Sequence, residues 1–291
     1  MDPPKFPREL EREIFELEAF LYPRSMVTLL VAQRVRTWIE PLLYRVLSIK
    51  HFGELTWEQL PADTTYRHSF EAMRKMILSR PAALLRDNVR HIRFPAACPP
   101  IVVDKMLRFC TGAVNVVATL AHPPTIAPLL ARLPLQRLVV CWDPLLNRSC
   151  PKFIRLMHLE IRDWPQGDCW EAWSGLALLP RLTHLAFHEI DTMIPIFLGA
   201  LQHCGSLKVL VMSCASQAHF YMSLRTLEKS GDDITTDLRF VMFLVEKYYH
   251  DEDWEECARG GQDFWDTAEE HVQKRRSGKI NGILCLVAVG E

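Results

Sequence analysis

The 291-residue chain has no apolar run approaching the roughly 20 residues needed to cross a bilayer. Its start lacks the uninterrupted apolar core of a secretory signal. It also lacks a charge excess: 34 Lys and Arg against 35 Asp and Glu leave a formal charge of −1, so no global field recruits nucleic acid or anionic lipid. Nine cysteines are present, but no CxxC pair. They sit inside apolar stretches such as "RFCTG", "VVCW" and "QHCGS", which reads as reduced, mostly buried thiols of a cytoplasmic or nuclear protein. A GxSxG elbow, a glycine-rich phosphate loop and an HExxH pair are all absent. These absences predict a protein that is not an enzyme and holds no cofactor and no metal.

What is present is a great deal of apolar material, 49% of residues, enough for a continuous core. The opening "FPRELEREIFEL" places Pro7 in a first helical turn, where its missing N–H costs nothing. Leu10, Ile14 and Leu17 follow at helical spacing, with Glu9, Glu11, Arg12 and Glu13 on the other faces. Pro23 and Ser25 end this helix and start a second, "SMVTLLVAQRVRTWIE", whose broad face carries Leu30, Val31, Val35, Trp38 and Ile39. Pro41 permits only a short continuation through Leu42 and Leu43. Fifty residues can hardly bury this surface alone, so part of it must meet the rest of the chain or a partner.

The stretch "FPRELEREIFEL…LLVAQRVRTWIEPLLYRVLSI" resembles an F-box of the kind found in fungal F-box-like proteins. The resemblance rests on the apolar-Pro opening, the apolar positions 10, 14 and 17, the Leu-Leu-Val run and the closing "LLYRVL". It implies docking onto the adaptor subunit of a cullin-RING ubiquitin ligase. Carried over by position, the adaptor-binding residues are Phe6, Pro7, Leu10, Ile14, Leu17, Leu30 and Val31.

Seven later segments, starting at residues 89, 114, 135, 156, 182, 207 and 238, fit an apolar-x-x-apolar-x-apolar template, with only Thr119 failing a final position. All but the last spacing fall within the roughly 20–29 residues of leucine-rich repeats. Helical patterns lie between them. "VDKMLRFCTG" and "IPIFLGALQHCGS" end in Gly112 and Gly205, which read as left-handed helix caps. A doubly wound α/β fold also alternates strands with helices, but brings a glycine-rich loop that is missing here. The expected fold is therefore α/β: an N-terminal helical F-box-like segment (1–50), a bridging helix and linker (51–88), an irregular leucine-rich-repeat solenoid of parallel strands alternating with helices (89–245), and a C-terminal capping segment (246–291). The bridge is expected to carry Phe70, Met73 and Ile77 on a helix over Thr64–Leu85. An irregular leucine-rich-repeat-like region behind an F-box is also the pattern of the fungal family, so the resemblance spans nearly the whole chain.

Side chains alternate along a strand, so the template exposes its intervening slots on the concave face. His91, His158 and His184 share one slot, joined by Arg93, Arg137, Glu160, Arg162 and His188. Val116, Val139, Val209 and Val211 add apolar outward positions. Arg137, His158, Glu160, Arg162, His184 and His188 are the expected target-binding patch, since repeat proteins bind through such faces. A metal held by these histidines and Glu160 is the weaker reading. "HDEDWEE" (250–256) reads as a solvated acidic run. Beyond it, Asp263 is a candidate N-cap for a helix bearing Trp265, Ala268 and Val272, with Lys274, Arg275 and Arg276 at the end favoured by the helix dipole. That segment is expected to cap the last repeat.

The functional expectation is a non-enzymatic substrate-recognition subunit, with the ligase adaptor and an unidentified protein target as partners, and neither nucleic acid nor membrane. The alternative is a repeat scaffold that keeps the F-box shape without adaptor binding.

Overall fold

The computed structural model describes residues 6–21, 31–48, 75, 79–95, 98–119, 123–141, 144–162, 169–188, 194–214, 216–230, 233–244, 249–282 and 284–286. Among the described residues nine parallel strands form one sheet in strict chain order: β1 (Val46–Ser48), β2 (His91–Phe94), β3 (Asn115–Ala118), β4 (Arg137–Val140), β5 (His158–Ile161), β6 (His184–His188), β7 (Val209–Cys214), β8 (Phe240–Leu244) and β9 (Leu284–Leu286). Among the described strands β1 pairs only with β2 and β9 only with β8, so the sheet does not close into a barrel. The order never reverses, so it lacks the switch point of a doubly wound fold. This is a solenoid-like repeat architecture.

The repeat is written into the backbone at the entry to each strand. The carbonyl of Arg45 accepts the N–H groups of both Arg90 and His91; that of Arg90 accepts Val114 and Asn115; that of Val114 accepts Gln136 and Arg137. Gln136, Met157 and Thr183 continue the series in the same way. Each new strand is thus hung on the one before by a two-donor contact, and the series starts at Arg45. The stretch "YRVL", expected only as the close of the N-terminal helical segment, therefore opens the first repeat, and β1 and β9 add two strands to the seven expected.

The same ladder corrects two registers. Ile92 stands beside Val116, and Val116 beside Leu138, so the third repeat's apolar positions are Ala113, Val116 and Ala118, all fully buried. Val116 faces the main core, and Val117 takes the outward slot instead. Thr119 failed the template because the template was one residue late. In β8 the shift recurs: Phe240 and Met242 enter the main core, Val241 and Phe243 face the other way, and Leu238 is exposed. A one-residue slip exchanges the two faces of a strand, and in runs as apolar as "VNVVA" and "FVMFL" either phase looks acceptable.

The helices that connect consecutive strands cover one face of the sheet. They are α3 (Ala82–Asn88), α4 (Pro100–Phe109), α5 (Pro123–Leu130), α6 (Pro144–Ser149), α7 (Ile194–His203) and α8 (Gln217–Ser230), with a 3-10 segment at Trp170–Leu178. Leu85, Met106, Leu130, Trp173, Phe197 and Phe220 meet Ile92, Leu138, Leu159, Leu185 and Phe240 in one continuous core. Gly112 and Gly205 are not left-handed; among the described glycines only Gly260 and Gly278 have positive φ. Gly112 is needed for a different reason: a Cβ there would lie 2.4 Å from the Arg86 carbonyl and 2.1 Å from Arg90 Nη1. Of the bridge, Phe70, Met73 and Ile77 lie outside the described residues. No helix among the described residues is long and apolar enough to cross a membrane.

Candidate functional site

At the N-terminus, α1 (Arg8–Leu21) packs beside α2 (Gln33–Leu43), which carries Pro41 inside it and buries Val35 and Ile39. Arg34 forks onto the Glu11 carboxylate at 2.5 Å and ties the two helices together. The stripe of α1 points elsewhere. Phe6, Leu10, Ile14 and Leu17, with Val31 at the entry to α2, are 48–60% exposed, and Pro7 is exposed beside them. Leu30 lies outside the described residues. Six of the seven residues expected to contact an adaptor are therefore placed, and all six are open.

The outward face of the sheet is arranged otherwise. Two C-terminal helices, α9 (Tyr249–Ala258) and α10 (Phe264–Arg276), lie across it. Trp254 is buried against Val46, Val117 and Val139, and its indole N–H donates to Asn115 Oδ1 at 3.1 Å. Trp265, Ala268 and Val272 pack on Ala186, Val209, Val211, Val241 and Phe243. Asp263 caps α10 as expected: its Oδ1 accepts the N–H groups of Trp265 and Asp266, and the Asp266 carboxylate returns a bond to the Asp263 N–H. Arg275 in the last turn donates to the carbonyls of Thr235, Asp237 and Phe240 at 2.7–3.0 Å. The terminal strand β9 then covers the edge of β8.

This overturns the expectation of an open concave patch. The structure does bring Arg137, His158, Glu160, Arg162, His184 and His188 together on one face, but beneath or beside α10. Arg137 pairs with Asp263 and donates to Cys257 Sγ at 2.7 Å. The rings of His158 and His184 stack at 4.3 Å, and Trp265 stands edge-on to both at 5.6 Å. Glu160 is buried and accepts from Arg162 at 2.7 Å, and His188 shares a hydrogen bond with Ser213 at 2.9 Å. The reason is in the strands. Outward positions 209, 211, 241 and 243 are apolar, so β7 and β8 are apolar on both faces, and a parallel sheet of that kind must be covered on both.

Burial decides the electrostatics. It drives His158 down to about 2 and lowers His184 too, where Glu269 at 3.6 Å works in the opposite direction. Burial opposes the charge of Arg137, but Asp263 and Cys257 hold its pKa above the ordinary value. Burial pushes the Cys98, Cys110, Cys150 and Cys257 thiols up to about 12, which suits packing and not nucleophilic attack. Among the described residues no group of three or more His, Cys, Asp or Glu is placed to hold a metal ion. The chain matches no protein-family model, and no curated protein matches it.

Sequence reasoning missed Trp254 and Asn115 as partners and the return of α9 over β1. The doubly apolar "VLVM" and "FVMF" signalled a covering layer over β7 and β8, where α10 lies, but gave no sign of where α9 returns.

Proposed function

We propose that the chain is a substrate-recognition subunit of a cullin-RING ubiquitin ligase, docking on the adaptor through α1. The observation that supports this most is the open stripe of Phe6, Leu10, Ile14, Leu17 and Val31, in a chain whose sheet is covered on both faces. Unpartnered apolar residues at helical spacing mark a docking surface for another protein. In this reading the chain contributes no catalytic group, and the transfer chemistry belongs to its partners. Target contacts fall on surfaces that α9 and α10 leave open, because Arg137, His158 and His184 are already engaged. The closed outward face favours a second reading, a repeat scaffold that keeps the F-box shape alone. Co-purification with the adaptor separates the two. Wild-type protein should capture it at micromolar concentration, and a Pro7→Ser, Ile14→Asp double variant should lose capture with an unchanged melting temperature. Failure of the wild type to capture the adaptor gives the case to the scaffold.

A further inference from the structure

At the junction of α2, β1 and β2 lies an open cleft of about 430 Å³, lined by Leu42, Arg45, Arg90, His91 and Gln136. It sits at the N-terminal ends of the first strands, where the repeat ladder begins. Arg45 is exposed, its backbone begins the ladder, and its guanidinium forms no hydrogen bond or ion pair among the described residues. It also borders a smaller neighbouring pocket with Arg259 of the turn after α9. Arg90 is held rigidly on the wall by three carbonyls, those of Asp87, Val89 and Gly112. His91 keeps a buried Nδ1 with no hydrogen-bond partner.

The charges here are one-sided. Asp87 is the one carboxylate among the described residues of the lining, and it is turned onto Arg86 at 2.9 Å. Arg137, further along, is neutralised by Asp263. Burial, with Arg45, Arg137, Arg90 and Arg259 all acting in the same direction, brings His91 down to about 4. A concavity with one guanidinium fixed by the backbone, a second left exposed and, among the described residues, no carboxylate free to balance them suits an anion.

We propose that this cleft binds a small free oxyanion of the phosphate class, with the Arg45 fork as its principal contact, Arg90 as a fixed second charge and His91 at its base. Arg45 is suited to the task because its guanidinium is engaged by none of the described residues, whereas Arg90 is already oriented by the backbone. The lining contains none of the residues of the α1 stripe.

Inorganic pyrophosphate titrated into the full chain tests the proposal, with sodium chloride at equal ionic strength as the control. Saturable binding and a melting temperature that rises with pyrophosphate are expected. Arg45→Gln should weaken that binding by about tenfold or more while leaving the melting temperature without anion unchanged, and Arg45→Lys should recover part of it. The His91 ring, followed by NMR, should titrate at higher pH when pyrophosphate is bound. No saturable effect beyond the chloride control, or equal affinity in Arg45→Gln and wild type, overturns the proposal. A phosphoserine peptide that binds where pyrophosphate does not would also overturn it, in favour of a macromolecular partner.

Discussion

Asp263 and Arg137, 126 residues apart in the chain, share one carboxylate contact that both starts a helix and fixes it to the sheet. One oxygen of Asp263 caps α10 through the N–H groups of Trp265 and Asp266, and the other pairs with the guanidinium on β4. The position of the C-terminal layer is thereby tied to the fourth strand.

Asp263→Ala removes the cap, worth about 0.5–2 kcal/mol, and leaves Arg137 half-buried without its counter-charge. The expected loss of unfolding free energy is about 2–4 kcal/mol in all. Asp263→Asn keeps the cap and loses only the ion pair, so it should fall between the wild type and Asp263→Ala. Urea unfolding of the two variants and of Arg137→Ala measures this, and a cost for Asp263→Ala no greater than that of an exposed cap would show that the pair is not formed.

Acidification should loosen the same layer. His158 and His184 are neutral under Trp265, with pKa values held below the ordinary 6.5. The unfolded chain takes up protons near 6.5 while the folded chain does not, so this contribution is complete above that pH and is lost as pH falls below it. At about pH 5 each fully neutral buried histidine contributes a loss of at most about 2 kcal/mol relative to neutral pH. The groups facing the pair, Arg137, Glu269 and Asp263, modulate the size without changing the sign. His158→Gln should flatten the pH dependence of the melting temperature; a protein that grows more stable between pH 7 and 5 would contradict the assignment.

Two glycines offer a contrast. A Cβ on Gly175 would come within 2.3 Å of the Asn147 backbone carbonyl, and the Gly175 N–H donates to the Asn147 side chain at 2.7 Å. Gly175→Ala should cost about 1–3 kcal/mol from overpacking. Gly205 has open space around its Cβ position and no positive φ, so Gly205→Ala should be neutral or stabilise by about 0.4–1 kcal/mol. Thermal melts of the two variants should shift in opposite directions or by very unequal amounts.

Much of this arrangement was legible along the chain. The spacing of Leu10, Ile14 and Leu17 marked α1, the template from residue 89 onward marked the strands, and Asp263 was readable as a cap because its role is local. What escaped needed long-range information. Val116 and Val117 are both apolar, and only pairing with Leu138 and Val139 decides which enters the core. "YRVL" satisfies two patterns at once. The bond from Trp254 to Asn115 joins residues 139 apart, and no period in the sequence encodes where a helix returns over a sheet. The outward polar slots were found correctly as a group; their solvent exposure was not, because exposure depends on that returning layer.

Hydrogen exchange of the full chain with and without the ligase adaptor tests the central claim most directly, since it reads the open stripe and the closed face together. The account predicts added protection confined to α1 and the start of α2, with β4–β6 already protected in the free protein and unchanged by the adaptor. Added protection at Arg137–Val140 and His158–Ile161 with none at α1, or no change anywhere, would contradict it.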